Sequence, residues 1–112
     1  MFEQSGEHTA ILLRLRHAYY RRLRRNWLPN MHIVYILRSV KVPGKTYIGI
    51  TQNLDKRLEE HNSGLSPYTK KFIPWEVETY ITFKNRLLAE HFEKYLKVGS
   101  GQAFLKKHLL AK

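Results

Sequence analysis

The chain has 112 residues, no cysteine, and 20 Lys+Arg against 9 Asp+Glu, giving a formal net charge of +11. Disulfides and thiolate metal sites are therefore excluded, and no apolar run approaches the roughly 20 residues needed to cross a bilayer. These features predict a soluble, cytoplasmic protein with a polyanionic partner, nucleic acid first and an acidic membrane surface second.

In residues 9–27, Leu12, Leu15, Tyr19, Leu23 and Trp27 recur at helical spacing among Arg14, Arg16, Arg21, Arg22, Arg24 and Arg25, which predicts a basic amphipathic helix. It reads as a DNA-gripping arm, a membrane-surface helix, or an extension outside the domain. Met31, immediately before the first strand, favours the extension and is a candidate native start. The expected division is thus an extension over 1–30 and a domain over 31–112. The excess charge belongs to both: 6 basic and 2 acidic residues give +4 in the extension, and 14 and 7 give +7 in the domain.

The β-branched and aromatic run Ile33 to Arg38 predicts a strand, Pro43-Gly44 a turn, and TYIGIT (46–51) a returning strand. With the bend near Val42, Tyr35 falls opposite Gly49 and Leu37 opposite Tyr47. Gly49 is conspicuous, because glycine inside a strand marks a bulge or the close approach of another group. Asn53 as N-cap opens a helix that Asn62, Ser63 and Gly64 close. WEVETYITF (75–83) predicts a third strand, with Trp75, Val77, Thr79, Ile81 and Phe83 alternating against Glu76, Glu78, Tyr80 and Thr82. A helix over about 85–97 has Leu88, Phe92, Tyr95 and Leu96 on its apolar side. After Gly99-Ser100-Gly101 a short helix carries Phe104, Leu105, His108 and Leu109. The predicted order is ββαβαα, an α+β class.

On the first of these helices Leu54, Arg57, Leu58 and His61 share one stripe. A helix built for packing alone would avoid a buried guanidinium, which costs several kcal/mol when unpaired. Arg57 at the stripe's edge, snorkelling to water beside a hydrogen-bonded His61, is the plain packing explanation. The alternative is convergence: Tyr35, Tyr47, Arg57 and His61, from three consecutive elements, could line one concave site. Acyl transfer is poorly supported, since no serine has evident His and Asp support, and HExxH and glycine-rich phosphate loops are absent. Phosphodiester hydrolysis would call for a carboxylate to hold a divalent metal. Glu90 and Glu93 both qualify, and periodicity does not choose between them.

The ordered set IVY (33–35), eleven residues, YIG (47–49), Arg57 and His61 resembles the GIY-YIG nuclease superfamily, closest to its small standalone bacterial members. The likeness runs from 31 to about 109 through NLDKRLEEHNSG, TKKFIPW and FEKYLKVGSGQAFLKKHL. It implies a three-stranded antiparallel sheet flanked by helices, and an endonuclease cutting DNA, in preference to RNA, with one Mg²⁺ or Mn²⁺ ion and no small-molecule cofactor. By the same resemblance Glu93 is the metal ligand, Tyr35 the general base, Tyr47 its hydrogen-bonding partner, Arg57 the phosphate clamp and His61 a further catalytic residue. Gly49 would permit close packing at the site. Ile33 and Val34 depart from the family's usual glycine and isoleucine. A basic nucleic-acid-binding module of the same fold without catalysis is the alternative function.

Overall fold

Five successive residues, Ile33 to Leu37, have no solvent exposure. Neighbouring side chains of a strand point to opposite faces, so such a run must be covered on both sides. The computed structural model, which describes residues 30–111, accordingly places β1 (His32–Ser39) at the centre of a three-stranded sheet ordered β2-β1-β3. β2 (Thr46–Thr51) and β3 (Trp75–Phe83) both pair with it antiparallel. The expected register holds, with Tyr35 opposite Gly49 and Leu37 opposite Tyr47. The predicted basic helix over 9–27 lies outside the described residues.

Two helices cover the two faces. α1 (Leu54–Asn62) lays Leu54 and Leu58 on the face carrying Ile33, Tyr35, Leu37 and Trp75. α3 (Arg86–Leu96) places Ala89 and Leu96 against Val34, Ile36 and Ile48 on the other. Both begin at asparagine caps: the expected Asn53 accepts from the Lys56 N–H at 3.1 Å, and Asn85 likewise accepts from the Leu88 N–H at 3.0 Å. Ile33, where glycine is usual, is fully buried in the first cluster, a placement that contributes roughly 1.5–3 kcal/mol through its side chain.

Three details differ from the sequence reading. A one-turn helix, α2 (Pro67–Lys70), is inserted between α1 and β3. α4 (Gly99–Phe104) starts at the glycines instead of after them, because the N–H groups of Gly101 and Gln102 both donate to the Val98 carbonyl; a π-turn (Leu105–Leu109) follows. In β3 the alternation breaks: Ile36 faces Thr79 but Leu37 faces Val77, so Glu78 is an extra residue and the phase slips by one. Trp75 and Val77 thus share their face with Tyr80, while Phe83 lies on the opposite one.

The segment 63–74 is tied down at its far end. Asn62 accepts from the Trp75 N–H at 2.6 Å and donates to the Trp75 carbonyl at 3.0 Å, and the Trp75 indole donates to the Thr69 carbonyl at 2.8 Å. These bonds fix α2 against the end of α1, and so beside His61.

Candidate active site

β2 is an edge strand, and Gly49 lies directly across the ladder from Tyr35. A Cβ at position 49 would come within 2.5 Å of Tyr35 Cζ and closer still to its hydroxyl. The missing side chain therefore leaves room for the Tyr35 phenol itself, which lies over the edge strand. Around that hydroxyl the other groups gather. Its oxygen is 3.1 Å from His61 Nε2. The Tyr47 ring is 6.3 Å from the Tyr35 ring and 4.8 Å from the His61 imidazole, centre to centre. Arg57 and Glu93 both act electrostatically on Tyr35, and Arg57 also as a hydrogen-bond partner.

Arg57 has two aspects. Its side chain is 41% exposed and pairs with Glu60 at 3.1 Å, as an edge residue of the helix stripe would, yet it also reaches Tyr35. Of the two carboxylates left open by periodicity, Glu90 is paired with Arg86 at 2.9 Å on the surface of α3, and this arginine lowers its pKa. Glu93 is only 14% exposed, pairs with Lys97 one turn on, and is the one whose charge reaches Tyr35. The edge of the sheet is where groups from both faces meet: Tyr35, Tyr47, Arg57 and His61 come from the α1 side and Glu93 from α3.

Burial pushes the Tyr35 phenol up to about 12, with Tyr47 and Glu93 adding to the rise; Arg57 pulls the other way, through charge and a hydrogen bond, and loses. The positive field expected to favour phenolate is thus present but outweighed by desolvation. His61 is 3% exposed, and burial first and the Arg57 charge second lower its pKa, so the neutral imidazole is the favoured form.

Thr69 is the residue that the sequence reading gave no role. It is fully buried, and its hydroxyl lies 2.9 Å from His61 Nδ1 and 3.5 Å from the Ser66 carbonyl. That carbonyl can only accept, so the threonine proton turns toward it and the threonine oxygen accepts from His61 Nδ1–H. Nε2 then carries a lone pair facing the Tyr35 O–H. The signal for this helical turn was legible in Ser66-Pro67, a cap residue followed by proline at the first helical position.

An antiparallel three-stranded α+β domain with two tyrosines, an arginine, a histidine and a glutamate at one sheet edge defines a class of small catalytic domain. The pattern of the GIY-YIG catalytic domain matches residues 31–107, and this chain belongs to that family. A structure-specific endonuclease subunit SLX1 from Debaryomyces hansenii is 40% identical over 76 residues, covering 62% of this chain and 22% of that protein. The SLX1 subunit from Mycosarcoma maydis is 36% identical over 70 residues, covering 59% of this chain and 11% of its own length. A UPF0213 protein from Bacillus licheniformis is 29% identical over 82 residues, covering 70% of this chain and 82% of its own. The chain thus spans only about a tenth to a fifth of these SLX1 relatives, but most of the bacterial one.

Proposed function

We propose that this protein is a metal-dependent endonuclease that hydrolyses phosphodiester bonds in DNA. The observation that carries the reading is the Tyr35 hydroxyl, held by the neutral His61 at 3.1 Å within reach of Arg57 and Glu93. A basic chain of +11 and relatives named as structure-specific endonuclease subunits support DNA as the polyanion.

In this mechanism Arg57 binds the scissile phosphate and stabilises the charge that builds on its oxygens. Tyr35 orients the attacking water and takes a proton from it while passing its own to His61 Nε2. The phenol with a pKa of about 12 therefore need not ionise. Water loses a proton and the imidazole gains one; the new P–O bond forms as the old one breaks, and the departing oxygen takes a proton from solvent water to leave as a hydroxyl. Thr69 holds the accepting nitrogen toward Tyr35, and Tyr47 walls the site on the side of the two rings.

Among the described residues, no group of three or more His, Cys, Asp or Glu side chains could hold an ion unaided. Glu93 fits the lighter arrangement that Mg²⁺ and Mn²⁺ accept, one carboxylate with the remaining positions filled by water and phosphate oxygens. Its partner Lys97 is half exposed. An ion held there would supply positive charge against the phosphate and the departing oxygen.

The test is cleavage of a panel of single-stranded, duplex, flap and branched DNAs in Mg²⁺ or Mn²⁺ by wild type and Glu93→Ala. The expected result is cutting by wild type alone, abolished by excess chelator. Identical behaviour of the two proteins, with salt-sensitive binding retained, would make the chain a binding module without catalysis.

A further inference from the structure

Residues 40–45 and 63–74 lie side by side at one end of the sheet. The Val40 N–H donates to the Pro74 carbonyl at 2.8 Å, the Ser39 hydroxyl donates to the Phe72 carbonyl at 2.7 Å, and the Lys45 ammonium sits 5.4 Å from the centre of the Phe72 ring. Every charged side chain in these two segments is a lysine: Lys41, Lys45, Lys70 and Lys71. A row of rings runs out from the active site into this basic patch. Tyr47 lies 4.8 Å from His61, Tyr68 lies 6.3 Å from Tyr47, and Phe72 lies 5.7 Å from Tyr68. At its outer part Tyr68 is 51% exposed, and other residues of the same turn, Pro67 and Lys70, line a cleft of about 580 Å³ with Gly64, Leu65 and Lys71.

A single exposed tyrosine needs no explanation. This one is placed differently, one ring from the Tyr47 of the active site and in a segment whose charged side chains are all lysines. Lysines beside an exposed ring meet the two demands of an unpaired nucleic-acid strand, whose phosphates need positive charge and whose bases offer a flat face for stacking. In continuous duplex both faces of each base are already stacked on neighbours and the edges are paired, so the ring has nothing to receive.

We propose that Tyr68 is the platform on which an unpaired base next to the scissile phosphate stacks, while Lys70 and Lys71 hold the phosphates of that strand along the cleft. The proposal rests on the nuclease reading above and names its substrate class: DNA with unpaired nucleotides at the point of cutting. Specificity for strand structure would then arise within the catalytic domain, from a turn whose neighbouring residue, Thr69, contacts the catalytic histidine.

Two DNAs of one sequence test this, a continuous duplex and the same duplex with a short unpaired stretch at the cut, with 2-aminopurine among the unpaired bases. Wild type is expected to prefer the unpaired substrate. Tyr68→Ala should reduce that preference, as a ratio of single-turnover rates, by about tenfold, the typical effect of losing one stacked base. Tyr68→Trp should keep it. In the Glu93→Gln protein the fluorophore should be quenched on binding, and removal of the Tyr68 ring should release the quenching. An unchanged ratio in Tyr68→Ala, or quenching that survives it, overturns the proposal. If wild type binds and quenches but cuts neither DNA, the nuclease reading fails while the stacking site stands.

Discussion

Gly49→Ala is the substitution whose consequence follows most directly from the coordinates. The added methyl would sit 2.5 Å from Tyr35 Cζ, where carbon atoms ordinarily rest about 3.5–4.0 Å apart, so the ring must retreat by about 1 Å or more. Tyr35 is fully buried, so its packed neighbours must absorb the shift. Overpacking of this kind costs about 1–3 kcal/mol, offset in part by the roughly 0.5–1 kcal/mol that alanine gains over glycine in a strand. A net loss of about 1–2 kcal/mol should lower the melting temperature by about 5–15 °C in a domain of this size. The same retreat pulls the hydroxyl from its 3.1 Å contact with His61, and a misplacement of about 1 Å at a reacting group can cost about a hundredfold in rate. Thermal melting followed by circular dichroism and single-turnover DNA cleavage read the two effects separately. A variant that melts and cuts like wild type would refute the claim that residue 49 is glycine to make room for Tyr35.

Thr69→Val keeps the shape but removes the acceptor for His61 Nδ1–H; it should lower cleavage at least tenfold and shift the imidazole tautomer seen by ¹⁵N NMR, with Thr69→Ser restoring both. Protonated His61 cannot accept from Tyr35, and its pKa is lowered from 6.5, so the cleavage rate should fall on the acid side with a midpoint below 6.5. The same shift makes the unfolded chain bind the proton first. Its contribution to stability is therefore complete above 6.5 and is lost as pH falls through the folded-state value, a drop in urea midpoint that His61→Gln should diminish. Asn62→Ala breaks both bonds to the Trp75 backbone and should destabilise the domain by about 1–3 kcal/mol in urea unfolding.

Much of this arrangement could be read before any coordinates. The long apolar run of β1, the Tyr35–Gly49 pairing and the Asn53 cap followed from local rules, because each depends on residues close in sequence or on the two-residue period of a strand. The bulge at Glu78 did not, since an extra residue in one strand is decided by its partner strand and by tertiary contacts: the Glu78 carboxylate accepts from the Ala111 N–H at 2.7 Å and stands 3.6 Å from Arg38. In the site, the stripe on α1 marked His61 correctly as inward-facing, but spacing left Glu90 and Glu93 equivalent. What separates them is the path of α3 over the edge strand, a long-range fact. The fate of the Tyr35 proton was likewise illegible. It depends on how burial competes with Arg57, and on a threonine eight residues beyond His61.

The proposed reaction turns on one oxygen atom, the Tyr35 hydroxyl. Tyr35→Phe removes that hydroxyl and leaves the ring that fills the core, so melting temperature and DNA affinity should stay close to wild type. The single-turnover cleavage rate in Mg²⁺ should fall by about a hundredfold or more, the usual worth of a proton-transferring group. A folded Tyr35→Phe protein that cuts DNA at the wild-type rate would contradict the mechanism at its centre.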